Sequence, residues 1–167
     1  IELAKKRISG KCKCDRYIAY FQSYTNTYGD VDALREKFLA AARRDDIAAV
    51  SIASRPDCFG PEVIDMIKDI IAVKPVWIEL GLQTANDRTA QLINRCYDIS
   101  VYDETMNRLR ELGVHIIVHM IIGLPGETKE DMIDTVRYIV RSGANGIKLQ
   151  LLHVLRAVSY THLTLPT

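Results

Sequence analysis

The chain has 167 residues, 48% hydrophobic and 26% charged, which fits one globular domain and excludes a disordered chain, a collagen-like repeat or a coiled coil. Lys and Arg number 22 against 21 Asp and Glu, so the net charge of +1 makes no electrostatic case for nucleic acid or an anionic membrane. The longest apolar run, Val114–Leu124, is interrupted by His115 and His119 and is too short to cross a bilayer.

Ile1–Gly10 is charged and lacks the apolar stretch of a secretory signal, so a cytoplasmic chain without a membrane partner is expected. The four cysteines, Cys12, Cys14, Cys58 and Cys96, are then not expected to form a disulfide scaffold. Residues 1–16 read as an entry segment, in which Ile1–Lys13 is the end of a basic helix or linker. Val158–Thr167 carries no charge and no continuing period, and it matches the in-frame translation of a transposon-type sequencing adaptor. Residues 157–167 are therefore set apart from the domain, which is expected to span 17–156.

Strands and helices alternate through that span. Tyr17–Gln22 is a short aromatic and β-branched strand, followed by a polar loop to Asp30. Val31–Arg44 carries Leu34, Phe38, Leu39 and Ala42 at helical spacing, and Ile47–Ser54 reads as a strand. Pro61 opens the next helix, with Val63, Ile64, Ile67, Ile70 and Ile71 on its buried face. Val76–Leu82 is a strand, Asn86–Asn94 and Val101–Leu112 are two helical pieces, and Gly113 closes the second. His115–Ile122 is the most apolar strand; a helix over Lys129–Arg141 and a last strand over Ile147–Val154 follow.

Repeated strand–helix units imply a parallel sheet, because each helix is the crossover between parallel strands. Side-chain alternation then separates an open sheet from a barrel. Trp77, Glu79, Gly81 and Gln83 share one face of their strand, opposite Ile78, Leu80 and Leu82. His115, Ile117, His119 and Ile121 share a face of the next, and Lys148 and Gln150 a face of the last. The apolar faces suit helices, and the polar faces must meet in a shared interior. That is the pattern of a partial α/β barrel of the TIM-like kind rather than an open sheet covered on both sides. Function is then expected at the strands' C-terminal ends, around Gln22–Tyr28, Ser54–Asp57, Gln83–Asp87, His119–Glu127 and His153.

Within these ends, Gly123-Leu-Pro-Gly-Glu127 is a strand-to-helix turn in which Gly123 lets backbone approach a ligand. Gln83, with Arg95 twelve residues on, suits a ligand bearing hydroxyls and a carboxylate. A lone interior histidine such as His119 is more often a hydrogen-bonded core residue than a catalyst or metal ligand. No zinc spacing, serine triad or paired-carboxylate arrangement stands out, and Cys12-Lys13-Cys14 has too little specificity to mark a metal.

Taken together, Tyr17–Tyr28, Ser54–Asp57, Trp77–Thr84, Asn94-Arg95, His119–Thr128 and Gly146–Val154 resemble the radical S-adenosylmethionine (radical SAM) enzymes. They are most similar to an uncharacterised bacterial subgroup related to the radical domain of the Elongator catalytic subunit. The resemblance implies a (β/α)6 partial barrel of which this chain supplies strands two to six, with strand one missing. It implies S-adenosylmethionine as cofactor and a [4Fe–4S] cluster in the parent, which would cleave the cofactor to a 5′-deoxyadenosyl radical using an external electron donor. It places Gln22 and Ser23 where the family meets the methionine amino group. Glu79 and Gln83 fall at the ribose, Arg95 at the methionine carboxylate, His119 where some relatives carry an Asp toward the ribose, and Gly123 beside adenine.

The family's CxxxCxxC loop is absent, so the chain is expected to be an inactive fragment with no metal ligands of its own. RNA enters as a substrate class through the resemblance alone. Two other readings stand beside it: a Schiff-base barrel lyase using Lys148, and a non-catalytic, tRNA-associated binding module. Without strand one, the edge at Tyr17–Gln22 is expected to leave aromatic residues exposed and favour self-association.

Overall fold

The computed structural model describes residues 1–8, 10 and 14–153. Helix α1 (Glu2–Ile8) precedes β1 (Tyr17–Phe21), α2 (Val31–Ala42), β2 (Ile47–Ser54) and a 3-10 turn at Pro56–Cys58. Then come α3 (Pro61–Ile71), β3 (Val76–Gln83), α4 (Asp87–Leu92), α5 (Ile99–Glu111), β4 (His115–Ile122), α6 (Lys129–Arg141) and β5 (Gly146–Leu151). The five strands are parallel and lie in chain order, β1-β2-β3-β4-β5. Consecutive strands joined by helices pair side by side.

Local chemistry places the element ends. Asp30 accepts from the Ala33 N–H at 2.9 Å and starts α2. Pro61 occupies the first turn of α3, where its missing N–H costs nothing. Thr128 and Asp131 form a reciprocal capping box at the head of α6. Gly113, at φ +69°, takes the left-handed conformation that lets the chain leave α5 for β4.

The expected facing holds. Val50, Ile52, Ile78, Leu80, Leu82, Ile116, Val118 and Met120 line the helix side of the sheet, all at 1% exposure or less. They meet Phe38 of α2, Met66, Ile67 and Ile70 of α3, Tyr102, Met106 and Leu109 of α5 and Ile139 of α6 in one core. The opposite face carries Tyr20, Ser51, Glu79, His119 and Lys148, joined by hydrogen bonds. Lys148 Nζ on β5 donates to Tyr20 Oη on β1 at 2.6 Å. In a flat sheet these edge strands would stand four spacings, ~19 Å, apart. Their side chains touch because the sheet curls into a half-barrel with its polar face inward.

Among the described residues both edges lack a strand partner. Ile18 and Tyr20 of β1 and Leu149 and Leu151 of β5 are exposed; of the aromatic residues expected to be exposed on β1 only Tyr20 is, since Tyr17 and Phe21 are half-buried. The last strand stops at Leu151 rather than Val154, which lies outside the described residues with the tail at 155–167. Cys12 is also outside them; Cys58 and Cys96 are free thiols.

Phe38 is fully buried and meets the Phe21 ring edge-on, with centroids 4.8 Å apart. Phe38→Ala is expected to lower stability by about 3–5 kcal/mol through the cavity it leaves. Val140→Ala, at an exposed position of α6, should stay within about 0.5 kcal/mol. Urea denaturation of the two variants measures the difference.

Candidate functional site

One polar side chain from each of the other four strands converges on Glu79 of β3. Its Oε2 accepts from Tyr20 Oη at 2.8 Å, His119 Nε2 at 2.6 Å and Lys148 Nζ at 3.1 Å, and its Oε1 accepts from Ser51 Oγ at 2.9 Å. Tyr20 and Ser51 are paired in register on β1 and β2, as are His119 and Lys148 on β4 and β5. Glu79 itself pairs with Ala53 and Ile117, two residues beyond Ser51 and two before His119. The stagger of the strands brings the five side chains to one level.

Burial would raise the Glu79 pKa, but bonds from His119, Tyr20, Lys148 and Ser51 outweigh it and bring the carboxyl down to about 2. Burial lowers the His119 pKa, with help from the Lys148 charge, against the opposing pull of Glu79. The pair is therefore a carboxylate and a neutral imidazole that donates from Nε2, since a carboxylate can only accept. Burial opposes the Lys148 charge, but its bonds to Tyr20 and Glu79 raise its pKa.

Gln83 ends β3 just beyond this level, and it does so under strain. Its φ is +72°, and Thr84 N–H bonds Leu82 C=O at 2.9 Å, which makes a γ-turn centred on Gln83. The ladder with β4 shifts register between Gly81 and Gln83. The side chain folds back over Gly81, where an added Cβ would meet Nε2 at 2.8 Å. Gln83 is 6% exposed, and its Oε1 is sealed from solvent with no partner among the described residues. Such an acceptor costs about 1–3 kcal/mol until something donates to it.

Three neighbours lock the turn. Arg95 Nη1 donates to Thr84 C=O at 2.7 Å and Nε to Tyr97 C=O at 3.1 Å. The Tyr97 hydroxyl donates to Gly81 C=O, and Thr84 Oγ1 donates to Glu127. The Arg95 side chain is 3% exposed, and its guanidinium stacks 4.7 Å from the Tyr97 ring centroid and lies 3.9 Å from Asp87. A cleft of about 420 Å³ along α4 is lined by Arg95, Asp87, Cys96 and Tyr97 but reaches none of the other six predicted residues.

Of those seven residues, Glu79 and His119 are in direct contact, Gln83 follows on the same strand, and Arg95 touches the turn after it. Gln22 and Ser23 are exposed on the β1–α2 loop. Gly123, at φ +85°, leaves open space beyond β4. Beside it Ile93, Ile121 and Leu124, with Leu152, form a small apolar cluster separate from the main core.

Sequence reasoning missed Tyr20 and Ser51. Ser51 was detectable as a lone polar residue within the apolar run Val50–Ala53. It also missed Asn26, which bonds Phe21 and Ala53 carbonyls at 2.9 and 3.0 Å, and Thr27, which bonds Ser54 and Cys58. These clamp the loop carrying Gln22 and Ser23 to the end of β2. Among the described residues no group of three or more His, Cys, Asp and Glu is placed to hold a metal ion, and no helix is long and apolar enough to cross a membrane.

With this geometry in view, comparison with known proteins is decisive. The model of the radical SAM superfamily matches residues 3–139. The chain belongs to the radical SAM superfamily. It is 43% identical over 152 residues to the uncharacterized protein YtqA of Bacillus subtilis, covering 91% of this chain and 47% of that one. It is 39% identical over 147 residues to protein YhcC of Escherichia coli, covering 86% and 47%. The chain thus spans about half the length of these curated relatives. A tRNA-2-methylthio-N(6)-dimethylallyladenosine synthase of Leifsonia xyli is 30% identical over 120 residues, covering 70% of this chain and 22% of that one.

Among solved structures, an N-terminally deleted Elp3 of Methanocaldococcus infernus superposes with a TM-score of 0.76 at 14% identity, covering 93% of this chain and 41% of that one. Coproporphyrinogen III oxidase (HemN) of Escherichia coli, described as a radical SAM enzyme, gives 0.71 at 20% identity, covering 83% and 32%. These likenesses establish the partial α/β barrel as the fold shared with them.

The Glu79 cluster makes a pH prediction. The Glu79 pKa falls on folding, so its contribution to stability is complete above the unfolded value near 4.5 and is lost as pH drops through about 2. The lowered pKa of His119 adds a loss that begins below 6.5. Denaturation at a series of pH values should show stability declining through both windows. In Glu79→Gln the decline between pH 4.5 and 2 should flatten.

Proposed function

We propose that this chain is the cofactor-binding part of a radical SAM enzyme core, holding S-adenosylmethionine at the C-terminal mouth of the half-barrel. The observation that carries the reading is the Gln83 Oε1, a buried acceptor with no partner, held on a strained turn. A ribose hydroxyl would satisfy it. Ile93, Ile121 and Leu124 offer an apolar wall for adenine, and Gly123 offers close backbone approach. Gln22, Ser23 and Arg95 are the residues assigned to the methionine end.

Arg95 acts here first by holding the Thr84 and Tyr97 carbonyls, so its removal also releases the Gln83 turn. In this superfamily a bound [4Fe–4S] cluster supplies the electron that cleaves the cofactor. The described residues assemble no thiolate triad for such a cluster, so no step is derived through one. The parent's substrate, electron donor and cytoplasmic setting belong to the same proposal. RNA enters it only through the tRNA-modifying relative. Lys148 is a poor Schiff-base lysine in this setting, because Glu79 and Tyr20 hold it as the ammonium.

Calorimetric titration of the full chain with S-adenosylhomocysteine tests the reading. Gln83→Ala and Arg95→Ala should each weaken binding by about 1–3 kcal/mol, roughly 5- to 150-fold. Unchanged affinity in both variants would remove the assignment. Gly81→Ala makes a sharper probe. Its Cβ displaces only the flexible Gln83 amide, so affinity should fall while the melting temperature stays close to that of the parent chain.

A further inference from the structure

Glu79 lies where a direct contact with the ribose is the simplest expectation, yet its carboxylate has little capacity left. Oε2 accepts three donors and Oε1 accepts Ser51. The group beside it is in the opposite condition. His119 is 3% exposed and donates through Nε2, while its Nδ1 takes no bond from any described residue. Nor is Nδ1 among the polar atoms sealed from solvent without a partner among the described residues, which are Arg35 Nε, Gln83 Oε1 and Glu127 Oε2. It is an imidazole with one nitrogen committed and one available.

We propose that Glu79 acts on the ligand through His119, as a positioning residue that holds the imidazole in the Nε2–H tautomer so that Nδ1 accepts a hydrogen bond from a ligand hydroxyl. The inference rests on the S-adenosylmethionine reading for the identity of the ligand, but the tautomer does not depend on it. A carboxylate has no proton to donate, so a 2.6 Å contact requires the proton on Nε2 and leaves a lone pair on Nδ1. Tyr20, Ser51 and Lys148, from three other strands, fix the carboxylate, and the carboxylate fixes the ring. His119 and Gln83 then supply two acceptors from adjacent strands, a pair suited to the two hydroxyls of a ribose.

The same geometry makes binding sensitive to pH. The groups around the ring are Glu79 from β3, Lys148 from β5 and, through the shared carboxylate, Tyr20 from β1 and Ser51 from β2. A proton on Nδ1 abolishes the acceptor. Burial and Lys148 hold that protonation below the ordinary histidine range. Affinity should therefore be flat above about pH 6.5, the ordinary histidine value, and fall at lower pH.

The test uses the full chain labelled with ¹⁵N-histidine and S-adenosylhomocysteine as probe. His119, identified by loss of its signal in a variant, should show the Nε2–H tautomer without ligand, and an Nδ1–H tautomer overturns the proposal. Two substitutions then separate the nitrogens, because an asparagine amide reaches about as far as Nδ1 and a glutamine amide as far as Nε2. His119→Gln keeps a group for Glu79 and loses the ligand's acceptor, so binding should weaken about tenfold. His119→Asn should stay within about threefold of the parent chain. The reverse order would mean that His119 serves only to satisfy Glu79, and the proposal falls. If the parent chain binds no S-adenosylhomocysteine at any pH, the cofactor reading fails and the ligand bond fails with it. The ligand-free spectrum would still decide whether Glu79 sets the tautomer.

Discussion

One carboxylate organises the interior of this half-barrel. Glu79 sits on the middle strand and accepts a hydrogen bond from a side chain on each of the other four strands. An ionised carboxylate at 6% exposure is costly to desolvate and persists only where donors replace its water. Because the donors come from every strand, meeting that cost and curling the sheet are one requirement. If the sheet flattened, Tyr20 and Lys148 would withdraw and the charge would lose two of its partners. The curl and the stagger of the strands follow from keeping Glu79 charged and satisfied, while burial and the Lys148 charge keep His119 neutral against the pull of that carboxylate.

The other end of β3 works by the opposite principle. Around Glu79 the bonding is complete, whereas at Gln83 an acceptor is left empty and the backbone is held at positive φ. Arg95, Tyr97 and Thr84 supply the bonds that hold it there. Strain and unmet bonding at one residue, supported by full bonding around it, is the arrangement expected where a protein holds a site ready for a ligand. The saturated network forms a rigid floor, and the unsatisfied turn stands at the mouth above it.

The chain belongs to the radical SAM superfamily, and the YtqA and YhcC relatives match it over about half their own length. The inward polar row was legible from alternation alone, since Glu79, His119 and Lys148 each stand opposite apolar neighbours that must face helices. The positions of Gln83 and Arg95 were legible as motifs. Their condition was not. Alternation puts Gln83 on the inward face without the register shift that aims it, and spacing cannot show that Arg95 is bonded to the Thr84 and Tyr97 carbonyls. Tyr20 and Ser51 escaped notice because a tyrosine near an edge and a serine in an apolar strand are both common in sites with no function.

The order of elements, the parallel sheet, the two faces of each strand and the family were determined by the sequence itself. Those features depend on periodicity and short motifs, which neighbouring residues carry among themselves. Only the tertiary structure decided that Tyr20 and Lys148, 128 residues apart, would meet over one carboxylate, that Glu79 would have no oxygen free, and that Gln83 would. The reason is physical. Twist and stagger accumulate across five strands before side chains from the two edges meet, and hydrogen-bond partners are chosen by competition among groups that only the curled sheet brings within reach.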